Sequence, residues 1–153
     1  EPTYLHQFIG PRLFETLQPI ASSQRLGYWF NPVNLRLSEF NVFHPDLAFF
    51  RFEDRPKLRG ASSPSLPTIV VEILSPSSKS RDLRHKRIRY AEAEIAEYWV
   101  IDQDRNSIVI NVFENSKDYV GHVVQEGRIP VGVFAGVQLD MDWIFGEKDF
   151  PQD

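Results

Sequence analysis

The chain of 153 residues has no cysteine and a single methionine. Without thiols there can be no disulfide, no thiolate nucleophile and no zinc–sulfur site. The same absence fits a cytoplasmic protein, and the cytoplasm is the expected compartment. No apolar run approaches the roughly 18 residues a bilayer span requires, so no membrane segment is expected. The opening EPTYLHQFIGPRLF has no basic stretch ahead of an apolar core and does not read as a signal peptide. It also lacks an initiating Met, so the chain reads as trimmed or as a fragment. Internal repeats and low-complexity tracts are missing too. What is present is ordinary for a globular protein: 42% hydrophobic and 13% aromatic residues, enough for one core in one domain, residues 1–153.

Net charge is −4, which taken alone argues against a nucleic-acid binder. The distribution says something different. Residues 1–50 sum to −1, residues 51–89 to +6 and residues 90–153 to −9. The basic middle holds Arg51, Arg55, Lys57 and Arg59, then Lys79, Arg81, Arg84, Lys86, Arg87 and Arg89. Such a block fits a localised polyanion-binding face, and equally a solvated helix face with acidic neighbours.

Periodicity orders the elements. Residues 4–21 read as a helix interrupted at Gly10-Pro11 and stopped near Pro19. Residues 26–31, 34–40 and 46–52 read as strands, the second by strict alternation. Residues 53–66 form a long polar loop, a flap or mobile hairpin. Residues 68–74 (TIVVEIL) are a β-branched run of the kind buried at the centre of a sheet. Ser75-Pro76-Ser77-Ser78 breaks it and offers N-cap hydroxyls to a helix over 80–93. Residues 97–102 and 107–114 form a hairpin, residues 118–125 another strand, 127–139 a short strand with turns, and 142–145 a closing turn or short helix. The expected class is α/β (α+β): a central mixed sheet flanked by helices, with added β-hairpins.

Glu72 is the informative residue. A charge inside IVVEIL costs several kcal/mol unless it is paired or bound to metal. Period two puts Val70, Glu72 and Leu74 on one face and Ile69, Val71 and Ile73 on the other. The plain alternative is a buried ion pair with a lysine or arginine. Asp46 follows Pro45 at the start of an aromatic-rich strand, and its plain alternative is a turn-initiating aspartate. Two carboxylates opening onto one cavity raise each other's pKa unless a cation separates them. Hard oxygen ligands without a His or Cys cluster suit Mg²⁺ or Mn²⁺. On a helical wheel with Asp82 at zero, Lys86 falls near about 40°, Leu83 at about 100°, Tyr90 at about 80° and Ala93 at about 20°. Lys86 is thus the basic residue on the arc that faces the sheet. From there it could reach Glu72 and orient water or phosphate, with Asp82 and Tyr90 as its i−4 and i+4 supports; the alternative is an Asp82–Lys86 helix salt bridge.

These pieces in order resemble a known family. Pro45-Asp46-Leu47-Ala48-Phe49, then Pro67 through Ser77, then Arg81-Asp82-Leu83 with Lys86 and Tyr90, then Glu97-Tyr98-Trp99-Val100-Ile101-Asp102, are similar to the Uma-two family of restriction-endonuclease-like proteins. That family is assigned the PD-(D/E)XK nuclease fold, and the likeness covers roughly residues 5–115. The resemblance implies that Asp46 and Glu72 are acidic metal ligands, that the Ile73 carbonyl is a further ligand, and that Lys86 is the catalytic lysine. One departure stands out: the nuclease pattern has Lys two residues after the Glu, where this chain has Leu74. His6 lies near a His often seen before the first family helix, but a lone His usually has a surface or capping role. The implied activity is Mg²⁺- or Mn²⁺-dependent hydrolysis of DNA by a homodimer, with Arg81, Arg84 and Arg87 touching the phosphate backbone. Two other readings stay open. One is a nuclease-like binding or regulatory module without catalysis. The other is a structural acidic cluster in which an arginine neutralises Glu72.

Overall fold

The computed structural model describes residues 3–59, 65–75, 80–115, 117–147 and 149. The elements in chain order are α1 (Tyr4–Ser23), β1 (Gly27–Phe30), β2 (Leu35–Arg36), β3 (Val42–Phe43), β4 (Leu47–Arg51), a 3-10 turn (Phe52–Asp54), β5 (Ile69–Leu74), α2 (Ser80–Glu92), β6 (Glu97–Asp102), β7 (Ser107–Glu114), β8 (Asp118–Val123) and α3 (Met141–Ile144).

Six strands form one sheet in the order β1-β4-β5-β6-β7-β8. Only β5 and β6 run parallel, with α2 as their crossover; the other pairs are antiparallel. This is the mixed sheet expected, and β5 lies inside it with strands on both sides. The side-chain alternation of β5 separates two cores. Ile69, Val71 and Ile73 pack with Leu47, Phe49 and Trp99 against Ile9, Leu13 and Leu17 of α1. Val70 packs with Ala48, Phe50 and Tyr98 against Tyr90 of α2. Glu72 shares the parity of Val70, so it projects beneath α2.

Three expectations need correction. The first helix is neither interrupted at Gly10-Pro11 nor stopped at Pro19; α1 runs twenty residues through both prolines. Thr3 caps it by accepting from the His6 N–H at 3.1 Å. Ile9, Leu13, Leu17 and Ala21 recur every four residues and are all buried, and that burial outweighs the hydrogen bonds proline removes. The helix ends where Leu26 N–H reaches the Ala21 carbonyl at 2.8 Å, with Arg25 taking the positive φ commonly left to glycine. Residues 34–40 are not one strand. They make β2 and then turn over Ser38–Asn41 into β3, because the Asn41 side-chain amide bonds the Ser38 hydroxyl at 2.8 Å and closes the reversal. Residues 127–139 hold isolated bridges, Gln125↔Arg128 and Arg128↔Gln138, in place of a strand.

Residues 60–64 of the expected flap and residues 76–79 of the expected cap lie outside the described residues. No helix among the described residues is long and apolar enough to cross a membrane.

Candidate active site

Four elements bring side chains to one end of the sheet. Asp46 enters β4 just after Pro45 and holds β5 on both sides of Glu72. Its backbone N–H donates to the Val71 carbonyl at 3.0 Å. Its carboxylate Oδ2 accepts the Ile73 N–H at 2.7 Å. β5 contributes Glu72, 4% exposed, pointing toward α2. From α2, Lys86 Nζ donates to Glu72 Oε1 at 3.1 Å and the Tyr90 hydroxyl donates to Oε2 at 2.6 Å. From the first turn of α1, His6 Nε2 lies 2.9 Å from the Ile73 carbonyl and 3.7 Å from Asp46 Oδ1. Since the carbonyl can only accept, Nε2 carries the proton in that bond.

The electrostatics follow from burial. The Asp46 carboxyl lies above its ordinary value because it is desolvated; the Ile73 N–H, His6 and Lys86 pull in the opposite direction. The Glu72 carboxyl is raised for the same first reason and by the charge of Asp46, while Lys86 and Tyr90 oppose the rise. Burial and the Glu72 charge push the Tyr90 phenol far upward, so it remains a proton donor to that carboxylate. Two desolvated carboxylates thus share one lysine, and each would carry its charge more readily beside a further cation.

A second buried carboxylate shows what a purely structural one looks like here. Glu97 has the opposite parity and faces the α1 core. Its Oε1 accepts from the Trp99 indole at 3.0 Å and its Oε2 from the Val133 N–H at 2.8 Å. Glu97 is enclosed by fixed N–H donors, whereas Glu72 is met by a side-chain ammonium that is one-third exposed.

A family model for Uma2, described as "Putative restriction endonuclease", matches residues 1–142. The chain belongs to the Uma-two family. Among solved structures, one described as "a putative nuclease belonging to DUF820", from Anabaena variabilis, is similar in fold. It has a TM-score of 0.75 at 18% identity, and the match covers 95% of this chain and 82% of that one. No curated protein matches. The six-stranded mixed sheet with helices on both faces is therefore the restriction-endonuclease-like fold.

Within this Uma-two chain, Asp46, Glu72, Ile73 and Lys86 are brought together, and the lysine comes from α2 while Leu74 ends β5 without one. Tyr90 joins the group by a route different from the expected one: its hydroxyl bonds Glu72, not Lys86. Asp82 is exposed in the first turn of α2, and the ammonium of Lys86 pairs with Glu72 instead. Arg81 and Arg84 are exposed on α2. Arg87 is turned to the sheet, where it meets Asp118 Oδ1 at 3.3 Å and the Tyr119 carbonyl at 2.7 Å. His6 is not the surface or capping residue expected but bonds the Ile73 carbonyl. Its partner is 67 positions away, so no local signal marks it.

The donors available to a metal are all hard oxygens: Asp46 Oδ1, the Glu72 carboxylate and the second lone pair of the Ile73 carbonyl. No cluster of three or more His, Asp or Glu side chains able to hold a metal occurs among the described residues. A cation would therefore depend on two carboxylates, a backbone carbonyl and water. That set of hard oxygens fits Mg²⁺ or Mn²⁺.

Proposed function

We propose that this single domain is a divalent-metal-dependent DNA endonuclease that hydrolyses phosphodiester bonds. The observation that carries the reading is the convergence of Asp46, Glu72 and Lys86 around Ile73 at the end of two neighbouring strands. Membership of the Uma-two family supports a nucleic-acid substrate.

In this reading Asp46 and Glu72, with the Ile73 carbonyl, hold Mg²⁺ or Mn²⁺. The bound cation would lower the pKa of an attacking water and polarise the scissile phosphate. The chain's own groups do the rest. Asp46 keeps its carboxylate aimed by accepting the Ile73 N–H. Tyr90 fixes Glu72 from the buried side. Lys86, on the wetter side, exchanges part of its contact with Glu72 for a phosphate oxygen or the water and stabilises the charge that develops there. Arg81 and Arg84 flank this end and meet the backbone without reading sequence; Arg87 acts mainly by holding α2 against β8. The resemblance further supports a pair of chains cutting a duplex; in this reading the work is done in the cytoplasm, which the lack of cysteine fits.

The test is incubation with Mg²⁺ or Mn²⁺ and plasmid or single-stranded DNA, beside Asp46→Ala, Glu72→Ala and Lys86→Ala. Wild type should cleave, and each variant should lose about 100-fold or more. Equal cleavage by wild type and variants, or none of any nucleic acid, would leave the fold as a binding or regulatory module.

A further inference from the structure

The basic block of the sequence is divided by the fold. β4 runs away from Asp46, and the strand from Asp46 to Arg51 spans about 17 Å at roughly 3.3 Å per residue. Arg55, Lys57 and Arg59 follow it, so they stand at the far end of β4 from the acidic site. The candidate active site leaves them without a role.

They line a cavity of about 1090 Å³ beside β1, the edge strand of the sheet. Its other walls include Phe14 and Gln18 from α1 and Tyr28, Trp29 and Phe30 from β1. Glu53 is the one acidic residue in its lining, so the charge there is positive in a chain that is negative overall. Just outside the cavity, the Arg55 guanidinium lies 4.5 Å over the Phe52 ring, which is 5.9 Å from Tyr28. Of the rings in the lining, Tyr28 is the most exposed, at 41%. Trp29 is 3% exposed, its ring packed into the core on Phe49, Trp99 and Phe134, so it closes the cavity from behind.

We propose that this cavity at the β1 edge is a second nucleic-acid site, which holds a single-stranded segment by stacking its bases on the aromatic wall and pairing its phosphates with Arg55, Lys57 and Arg59. The chemistry favours a single strand. The half-exposed Tyr28 ring can stack on a base face that a duplex keeps covered, while an acidic peptide would use the cations and leave the ring idle. A site of this volume accepts a few nucleotides. Its cations, beyond Arg51, lie about five stacked base steps of 3.4 Å from Asp46. The substrate it selects is therefore a duplex with a single-stranded branch or tail, anchored at one end of the sheet and cut at the other. This inference rests on the nuclease reading for the class of ligand.

The experiment measures binding without cleavage. Labelled oligo(dT) of about 15 nucleotides is titrated with the full chain in EDTA and followed by anisotropy, beside a duplex of equal length. Arg55→Glu, Lys57→Glu and Arg59→Glu together should weaken oligo(dT) binding about tenfold or more and flatten the salt dependence by about two in slope. Tyr28→Ala, a ring removed without any change of charge, should weaken it about fivefold or more. Lys117→Glu with Arg128→Glu, elsewhere on the surface, should stay within about twofold, and circular dichroism should show all variants folded. The proposal is overturned if the triple variant binds like wild type, if duplex binds as tightly as oligo(dT), or if polyglutamate competes as well as oligo(dT) does. A chain that cleaves DNA but fails these tests loses this site alone. A chain that passes them without cleaving keeps this site and loses the catalytic reading.

Discussion

The Tyr90 hydroxyl donates to Glu72 Oε2 at 2.6 Å inside the core between α2 and the sheet. Lys86 one turn earlier holds the other oxygen at 3.1 Å. Both donors favour the ionised form of Glu72, against the burial that raises its pKa. Tyr90 is also fully buried, against Tyr98 and Phe43 at ring separations of 5.2 and 5.6 Å.

Tyr90→Phe separates the two roles of that residue. The ring packing survives, and Glu72 loses one of its two donors. Leaving a buried acceptor underprovided costs about 1–3 kcal/mol, which lowers Tm by roughly 3–10 °C in a chain of this size. The tyrosine bond also holds the Glu72 pKa down, so its loss raises that pKa further, and the acid limb of the pH–rate profile should move to higher pH. Thermal melts and a pH profile of cleavage read both effects. A variant with unchanged Tm and profile would show that the hydroxyl contributes nothing to Glu72.

Much of this arrangement was legible from residue pattern, and the reasons are local. The period of two in IVVEIL placed Glu72 with Val70, and the structure puts both on the α2 side. The helical wheel put Lys86 on the buried arc, and the lysine reaches the sheet from there. What failed depended on contacts that only the fold creates. Pro11 and Pro19 signal breaks in isolation, but a fourfold-spaced apolar stripe buried on the sheet overrides them. Tyr90 looked like a support for Lys86 because i+4 is its helical neighbour, whereas its hydroxyl projects past the lysine to the strand. Arg87 looked available for phosphate, yet Asp118, 31 residues later, claims it. The basic block looked continuous because sequence order hides that β4 and β5 carry its two halves to opposite ends of the sheet.

His6→Ala tests the residue that no local pattern marked. Its ring supports the Ile73 carbonyl and lies near Asp46, both on the proposed ligand set. Outer residues that orient metal ligands typically affect metal affinity or activity by 10–100-fold. The Mg²⁺ or Mn²⁺ concentration needed for half-maximal cleavage should rise by about that factor, while KM for DNA stays unchanged. His6→Gln, which keeps a side-chain N–H donor, should recover part of the loss. Equal metal dependence in all three proteins would reduce His6 to a packing residue.

Glu97 and Gly132 make a prediction about stability alone. Gly132 has φ +90, and a Cβ there would overlap the Glu97 carboxylate. Gly132→Ala therefore combines backbone strain with displacement of a buried charge from its two N–H donors. The expected loss exceeds about 3 kcal/mol, measured by chemical denaturation. Glu97→Gln should cost about 1–3 kcal/mol, because one amide N–H would face either the Trp99 indole or the Val133 N–H, donor against donor. Cleavage per folded molecule should be unaffected by Glu97→Gln, since this carboxylate lies on the α1 face, across the sheet from Glu72. A Glu97→Gln protein that is stable but inactive would mean the wrong glutamate has been assigned to catalysis.

Asp46→Asn carries the pH dependence. The folded-state pKa of Asp46 is raised above its ordinary 3.8, chiefly by desolvation. The folded protein therefore holds that proton more tightly than the unfolded chain does. The stability this confers is complete below the ordinary carboxylate value and is lost as pH rises through the raised one. At neutral pH wild type thus retains a charge that folding disfavours, and a neutral amide, whose oxygen can still accept the Ile73 N–H, removes that penalty. The difference in Tm between Asp46→Asn and wild type should grow from acid toward neutral pH in favour of the variant, even as cleavage disappears. Added Mg²⁺ or Mn²⁺ should narrow the gap by stabilising wild type alone, because ligand bound only by the folded state adds to its stability. A gap that shrinks with rising pH without metal would mean that Lys86 and His6 outweigh desolvation at Asp46, and that the site does not need a cation to balance its charge.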